Sequence, residues 1–463
     1  MSHVRLAPVL SAVLAAATGP ASAANWLMLQ GTENPKAPDH RLVGFIQPAY
    51  TKNLADPMTG LAGPLAANNG KVVAQNLVPP KLEDRSAFHV KRARGGVRGK
   101  LGDKFNYFVF VEVAPNNMTY DPFGDRARAI ALDHFSITAN HIPGARVRAG
   151  LFKNPGSEES YQGIATFDYI DFTDFTAREN LERFMTGAFT PAASAQGNIG
   201  TPVNKAYGFS AARDWGVQLF DSFKHGKWDT SYAVKVGRGE AISTTDDNKF
   251  NPEWYLYAST EYDLPGGKGP RKNGVKVYAW RQQGKRDFSS DPTGKEYKRV
   301  RQGVGFKAVG KLFESKYKHR LSGELMQAAG AIFLAPAGNV ARGNVANGNL
   351  QMAMDDGNKA LGWYLDYGFY LDKNWEFDIR YDEDKLLYKT SSDVNPGNER
   401  KITGLTLGVN YHFTPKLRLT ANYTHRKAEA PVAYAGNAAL TQDVRTTVAN
   451  LDDRVALQLT WIY

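Results

Sequence analysis

Apolar and polar side chains alternate along most of this chain, and residues 88–101 show the pattern most clearly. With the two-residue period of a strand, one face carries basic side chains and the other apolar ones: Arg92, Arg94, Arg98 and Lys100 against Ala93, Val97 and Leu101. Such a strand suits the wall of a membrane β-barrel with a wet, positively charged interior. An edge strand of a soluble sheet with a solvated basic face is the alternative interpretation of this stretch.

Similar runs follow one another to the end of the sequence, and they predict about sixteen strands. The predicted strands cover residues 41–52, 87–101, 104–115, 126–139, 145–153, 206–221, 227–237, 253–264, 273–285, 299–314, 319–333, 359–371, 374–388, 400–413, 416–428 and 450–463.

The connections between these runs alternate in length. Those after the even-numbered strands are short, such as 102–103 and 372–373, whereas those after the odd-numbered strands are long, such as 53–86, 334–358 and 429–449. Tight turns at one membrane face and long loops at the other produce this alternation, and an even number of strands closes the sheet. The sequence therefore predicts an all-β fold: a transmembrane up-and-down antiparallel β-barrel of about 16 strands.

The last predicted strand ends on an aromatic residue, Tyr463, and its alternate residues are apolar. This pattern resembles the terminal signature of outer-membrane barrels, although any C-terminal strand could carry it. Aromatic residues at strand ends are candidates for the girdles at the two membrane interfaces: Trp254, Trp280, Trp363, Trp375, Tyr411 and Phe413.

The connection 154–205 is the longest and contains no clean strand pattern, and loops of this length are usually functional or disordered. In a barrel it can fold inward as a third loop and narrow the pore, or it can extend outward as a flexible loop. The candidate residues of a constriction loop are Glu158, Glu159, Asp168, Asp171, Asp174, Arg178 and Arg183.

The N-terminal residues have the three parts of a signal peptide: the basic Arg5, an apolar run over 6–17, and small residues at 21–23. We expect cleavage after Ala23, a loose entry segment over 24–40 and the barrel over 41–463. Since no later window of about 18 apolar residues occurs, insertion into a membrane would be by strands.

Composition narrows the chemistry. The chain has 54 aromatic residues (24 Phe, 22 Tyr and 8 Trp) and 44 Gly, and it contains no Cys, which excludes disulfides and thiolate chemistry. The net charge of +11 indicates an anionic partner. Export argues against nucleic acid, so small anions and membrane lipid are the expected partners.

No catalytic or metal-binding motif is convincing, so we expect neither an enzyme nor a cofactor. Residues 305–312 nearly match the phosphate-binding loop pattern, but Leu312 stands where the hydroxyl residue is needed, within an alternating strand. The nine His are dispersed, and neither H-E-x-x-H nor G-x-S-x-G occurs.

Several segments resemble the phosphate-selective porins, the porin O and porin P group. These are Arg92-Ala93-Arg94 with the aromatic strand 105–113, the segment 147–155 with Glu158, and the segment 213–220, which together span roughly 86–240. The resemblance implies a trimeric, sixteen-stranded outer-membrane porin whose lumen carries a basic ladder for anions, with phosphate and polyphosphate as candidate solutes.

Strand alternation predicts which basic residues line the anion pathway: Arg92, Arg94, Arg98, Lys100, Arg146, Arg148, Lys153, Arg299, Arg301 and Lys307. Acidic residues are expected on residues 374–388, which would set a transverse field across the pore. The alternative is that these bases only solvate the lumen and pair with acidic neighbours. A general diffusion porin, or a structural or receptor barrel that does not conduct, also fits the sequence.

Overall fold

The fold is taken from a computed structural model of the chain. It describes residues 25–463 except 73–85, 117–118, 120–128, 182, 187–198, 201–203, 207–211, 240–251, 268, 288–295, 312–314, 335–350, 354–355, 389–396 and 398. The predicted signal peptide, 1–23, lies outside the described residues.

Sixteen antiparallel strands form one closed barrel, as the alternating pattern predicts. They are β1 (Arg41–Asn53), β2 (Ser86–Leu101), β3 (Phe105–Glu112), β4 (Ala131–Ala139), β5 (Arg146–Lys153), β6 (Arg213–His225), β7 (Trp228–Gly237), β8 (Glu253–Asp263), β9 (Gly274–Asp287), β10 (Glu296–Gly310), β11 (Lys318–Gly330), β12 (Lys359–Tyr370), β13 (Trp375–Leu386), β14 (Arg400–Thr414), β15 (Leu417–Glu429) and β16 (Arg454–Ile462).

Each strand pairs with its neighbours in sequence, and β1 pairs with β16 to close the cylinder. The largest differences from the predicted bounds are at β6, expected over 206–221, and at the starts of β4 and β16. Of the residues expected in these strands, 126–128 and 207–211 lie outside the described part of the chain, and residues 450–453 precede the first residue of β16.

The strand bounds confirm the alternation of short and long connections except around β9, where the connection expected to be short, 264–273, is longer than the one expected to be long, 288–295. The short ones, such as those between β2 and β3 and between β6 and β7, define the short-turn mouth of the barrel, and the long ones define the long-loop mouth. Glycines in the left-handed region make two of the tight turns possible, with φ of 62° at Gly102 and 59° at Gly226.

The outer surface of the barrel is apolar because alternate residues of every strand point away from the lumen. The outward aliphatic residues are exposed: Val217, Val277, Val304 and Leu457 have between 43 and 55% of their surface accessible. Such a band fits the hydrocarbon layer of a membrane. Among the residues that the structure describes, no helix is long and apolar enough to cross a membrane.

Aromatic side chains lie at the strand ends near the short-turn mouth. The Trp375 ring centroid is 4.6 Å from that of Tyr411, and the Tyr411 centroid is 4.8 Å from that of Phe413. Trp280 was wrongly predicted to belong to a girdle. It is buried in the lumen, where its Nε1 donates to Glu324 Oε1 at 2.6 Å, because its position in β9 has inward parity.

In the described part of the chain, three α-helices occur that are not part of the barrel wall: α1 (Trp26–Leu29), α2 (Glu158–Tyr161) and α3 (Ala438–Ala449). Short 3₁₀ turns cover Gly63–Asn68, Ile164–Thr166 and Gly269–Arg271, and one π-helical turn covers Thr176–Asn180. Two small sheets consist of Arg183–Thr186 with Asn204–Ala206, and of Ile332–Leu334, Gln351–Ala353 and Ile199–Gly200.

Candidate functional site

One wall of the lumen, formed by β2 to β6, is rich in cations. The four predicted basic residues of β2 point inward, and their partners in register on β1 and β3 include the polar residues Gln47, Asn106 and Glu112. Arg94 lies between two carboxylates, with 2.8 Å from Nε to Glu112 Oε2 and 2.8 Å from Nη1 to Asp133 Oδ1. Arg92 Nη1 donates to Gln47 Oε1 at 2.7 Å. Arg94 is thus an ion-paired member of the predicted ladder.

The two β2 residues nearest the short-turn mouth contact the segment before β1. Arg98 forms an ion pair with Glu33, and Lys100 Nζ lies 4.0 Å from Asp39 Oδ1 and donates to the Pro35 carbonyl at 3.0 Å. The sequence predicts a loose entry segment here. The structure instead holds this segment against the inner wall.

The basic residues of β5 have different partners. Arg146 pairs with Asp221. Arg148 is fully buried, its guanidinium carbon lies 4.5 Å from the ring centroid of Phe220, and its Nη2 donates to the Leu27 carbonyl at 3.2 Å. Lys153 Nζ donates to the carbonyls of residues 160 and 162 at 3.0 and 2.6 Å. Arg148 and Lys153 therefore carry positive charge beside neutral oxygen atoms.

The predicted basic residues of β10 are divided in the same way. Arg299 Nη1 is 2.7 Å from Glu253 Oε1, and Arg301 Nη2 is 2.8 Å from Glu179 Oε2. Lys307 lies beside a cavity, and within the described part of the chain it has no carboxylate within 4 Å.

The opposite wall is acidic, as the pattern of residues 374–388 predicts. Glu376, Asp378, Asp382 and Asp384 of β13 all point inward and are buried. The side chain of Arg320 in β11 is 2% exposed, and it forms ion pairs with several carboxylates of this wall. Its nitrogen atoms lie 2.6 Å from Asp168 Oδ2, 3.0 Å from Asp366 Oδ2, 2.8 Å from Glu376 Oε1 and 2.8 Å from Asp378 Oδ1.

Residues 154–181 follow β5 and contact inward side chains on several strands around the barrel. Glu158 pairs with Lys276 of β9 at 2.7 Å and Glu159 with Arg380 of β13 at 3.0 Å. Asp171 pairs with Lys91 of β2 and lies 2.9 Å from Arg454 of β16. Because these partners come from distant strands, this segment lies across the lumen.

The other predicted loop residues take part in the same network. Asp168 contacts Arg320 and, at 3.8 Å, Arg418. Arg178 lies 3.2 Å from both Asp174 Oδ1 and Asp384 Oδ2. Arg183 is in the short strand Arg183–Thr186, beyond the segment that lies across the lumen, and only its backbone is described.

The carboxyl group of Asp171 is the most electrostatically stabilised group of this segment. Burial alone would raise its pKa, but the positive charges of Arg454 and Lys91 outweigh burial and lower the pKa well below the usual value. A carboxyl group with a lowered folded-state pKa stabilises the fold above its ordinary pKa, and this contribution is lost as the pH falls through the lowered value.

We therefore expect acid to weaken the attachment of residues 154–181. Below about pH 4 the unfolding temperature of the wild type should fall. Asp171→Asn should unfold at a lower temperature than the wild type at pH 7, and its unfolding temperature should decrease less between pH 7 and pH 3. Thermal unfolding in detergent between pH 3 and pH 7 measures both. Asp103→Asn, in an exposed turn, is the control. Parallel pH profiles for Asp171→Asn and the wild type would contradict this assignment.

A small cavity lies between this segment and the wall formed by β9 to β13. Its lining combines charged and aromatic side chains, including Glu159, Tyr169, Lys307, Arg320 and Tyr364. Tyr169 donates its hydroxyl hydrogen to Asp366 Oδ1 at 2.5 Å. The cavity therefore offers a polar environment for a hydrophilic solute.

Several lumen residues were missed by the sequence analysis. Glu112, Asp133, Arg213 and Arg320 are buried and ion-paired, with Arg213 Nη2 2.9 Å from Asp133 Oδ1. All four lie in predicted strands, so the two-residue period could have placed them on the inner face. Their pairing across strands could not be found without the register.

No protein family model and no curated protein sequence matches the chain. Among solved structures, OmpF of Salmonella typhi, in complex with daunomycin, is similar over 94% of this chain and 100% of that chain, with 12% identity and a TM-score of 0.51.

Two further solved structures have TM-scores of 0.49. The anion-selective porin from Comamonas acidovorans is 13% identical over 92% of this chain and 99% of that chain. The outer membrane channel DcaP of Acinetobacter baumannii is 12% identical over 94% of this chain and 100% of that chain. At this identity, the similarity to OmpF concerns the fold, a sixteen-stranded barrel.

Proposed function

We propose that this protein is a porin of the bacterial outer membrane, through which small hydrophilic solutes diffuse passively with a preference for anions. One observation carries the proposal: a closed sixteen-stranded barrel has an apolar outer face and an inner face rich in polar and ionisable side chains. A lipid-facing exterior and a charged interior are the physical requirements of an aqueous channel across a membrane.

The preference for anions rests on the cationic wall of β2 to β6. Arg148 and Lys153 are held by carbonyl and hydroxyl oxygen atoms and by aromatic rings, and no described carboxylate lies within 4 Å of them. Their charge is therefore not cancelled locally, and it favours anions on this side of the lumen. The acidic wall of β13 opposes it and provides the transverse field.

The basic ladder of β2 supplies the proposed route. Inward residues two apart on a strand are separated by about 7 Å, so an anion can move from one guanidinium to the next without being held tightly by either. The fork of an Arg offers paired donors that fit phosphate or carboxylate oxygens. We include phosphate and polyphosphate among the permeating anions.

We further propose that residues 154–181 form the constriction of the channel. Their ion pairs with β2, β9, β11, β13 and β16 would keep the segment inside the lumen, where it narrows the path. The homotrimer and the outer-membrane location are part of the same proposal, and cross-linking and cell fractionation test them.

Bilayer recording with phosphate tests the anion proposal. In planar bilayers we expect stepwise conductance with an anion preference, and phosphate added at constant ionic strength should reduce the chloride current because phosphate occupies the ladder for longer. A chloride current unaffected by phosphate would indicate a general diffusion porin. Equal permeability for the two signs of ion would contradict the anion preference.

A barrel that does not conduct is the second candidate function, and the close packing of the lumen favours it. Arg92, Arg148, Arg299 and Arg301 are at most 1% exposed, since the segments 25–39 and 154–181 cover them. A structural or receptor barrel would give no conductance steps in a planar bilayer at any voltage, whereas a porin gives one step each time a channel inserts into the bilayer.

A further inference from the structure

The segment 25–39 lines the lumen at the short-turn mouth. Asn25 Nδ2 donates to Ser231 Oγ of β7 at 2.6 Å, and Gln30 Nε2 donates to the Tyr161 carbonyl of the loop segment at 2.7 Å. Trp26 and Leu27 in α1 are 7 and 1% exposed. The segment is thus hydrogen-bonded both to the barrel wall and to the loop segment 154–181.

Three residues of the predicted anion pathway hold this segment by its main-chain oxygens. Arg98 Nη2 donates to the carbonyls of Leu29 and Thr32 at 2.9 and 3.1 Å. Arg148 and Lys100 donate to the carbonyls of Leu27 and Pro35. The segment thus occupies the end of the basic ladder.

Glu33 places a carboxylate at this position. It is 8% exposed, it forms an ion pair with Arg98, and its Oε2 lies 3.1 Å from Arg41 Nη2. Its backbone N–H donates to Asn106 Oδ1 of β3 at 3.1 Å, which fixes its main chain independently of the carboxylate. A carboxylate between two guanidinium groups occupies the place that a permeating anion would take.

We propose that Glu33 is a selectivity-determining residue of the channel, which limits the anion preference at the short-turn mouth by offsetting one of the two positive charges of Arg98 and Arg41. This inference rests on the proposed porin function. The charge of Glu33 can be separated from its structural role, because Arg98 keeps its two carbonyl partners and the Glu33 backbone keeps Asn106 when the carboxylate is replaced.

Glu33→Gln tests the proposal, since the amide has the same shape and can still accept a hydrogen bond from Arg98. One elementary charge at about 10 Å in water changes an ion's energy by roughly 0.4 kcal/mol, and it acts oppositely on the two signs of ion. Without screening, these opposite effects would change the anion-to-cation permeability ratio about fourfold. Screening in dilute salt reduces the expected rise to about two- to threefold, and screening in 1 M salt reduces it further. Glu33→Lys should raise the ratio further.

Asp103→Asn is the matched control, because it removes one carboxylate from an exposed turn at the same mouth. Its permeability ratio should equal that of the wild type. Reversal potentials in a KCl gradient, with thermal unfolding as a check on the fold, give the result. An unchanged ratio in both Glu33 variants, in a wild type that conducts, overturns this inference alone. A wild type that does not conduct overturns the porin function, and this inference with it.

Discussion

The Arg320→Met protein is expected to unfold at a much lower temperature than the wild type. Arg320 is the common partner of Asp168, Asp366, Glu376 and Asp378. Removing one partner of a buried ionic network leaves charge without compensation, which typically costs about 3–5 kcal/mol. Asp168 belongs to the loop segment, so its attachment to the wall should weaken at the same time.

Two further variants make this result specific. Arg320→Lys keeps the positive charge but cannot reach four carboxylates with a planar fork, so its stability should lie between those of the wild type and Arg320→Met. Arg281→Met removes an exposed arginine whose partners are Gln283 and Gln302, and should unfold like the wild type. Thermal unfolding in detergent measures all three. Similar curves for Arg320→Met and Arg281→Met would show that the network contributes little to stability.

The second large effect is expected from replacing Arg92, Arg94 and Arg98 together with Gln. These substitutions remove three positive charges from the cationic wall. They also remove the ion pairs that Arg94 makes with Glu112 and Asp133 and that Arg98 makes with Glu33. If each charge alters the permeability ratio about two- to threefold, the ratio should fall by roughly 8- to 27-fold in dilute salt. The channel should then lose its preference for anions, as reversal potentials in a KCl gradient would show.

A control of equal charge separates the lumen from the rest of the surface. Lys285, Lys298 and Lys359 are exposed near the long-loop mouth, and replacing all three with Gln also removes three positive charges. That variant should keep the anion preference. An anion preference that survives in the β2 variant would rule out the basic ladder as the selective element.

The barrel was predictable from sequence because strand parity and loop length are local properties. The inward and outward faces of β2 and β13 follow from a period of two, and the sixteen strands follow from counting. Trp280 shows the limit of this reasoning. Its strand was predicted, but its place near a strand end suggested a girdle, and only the register of β9 with its neighbours places the ring beside Glu324.

The pairing within the lumen was much less predictable. Arg301 and Glu179, or Asp171 and Arg454, are far apart in sequence and meet only because the barrel closes and the loop segment lies across it. The segment 25–39 has turn-forming residues and little periodicity, so its sequence indicates a loose entry. Its position depends on contacts with Arg98, Arg148 and Asn106, which lie in strands that follow the segment in the sequence.

The way the sheet closes bears on how the chain tolerates cleavage. Within the barrel, every pair of hydrogen-bonded strands is consecutive in sequence except β1 and β16, where Phe45 pairs with Ile462. A protease cut within one of the long connections would therefore sever no strand from both of its partners, and the two fragments would stay associated along two seams. Two fragments made separately need to pair along only those two seams to reassemble, because all the other strand pairs form within one fragment.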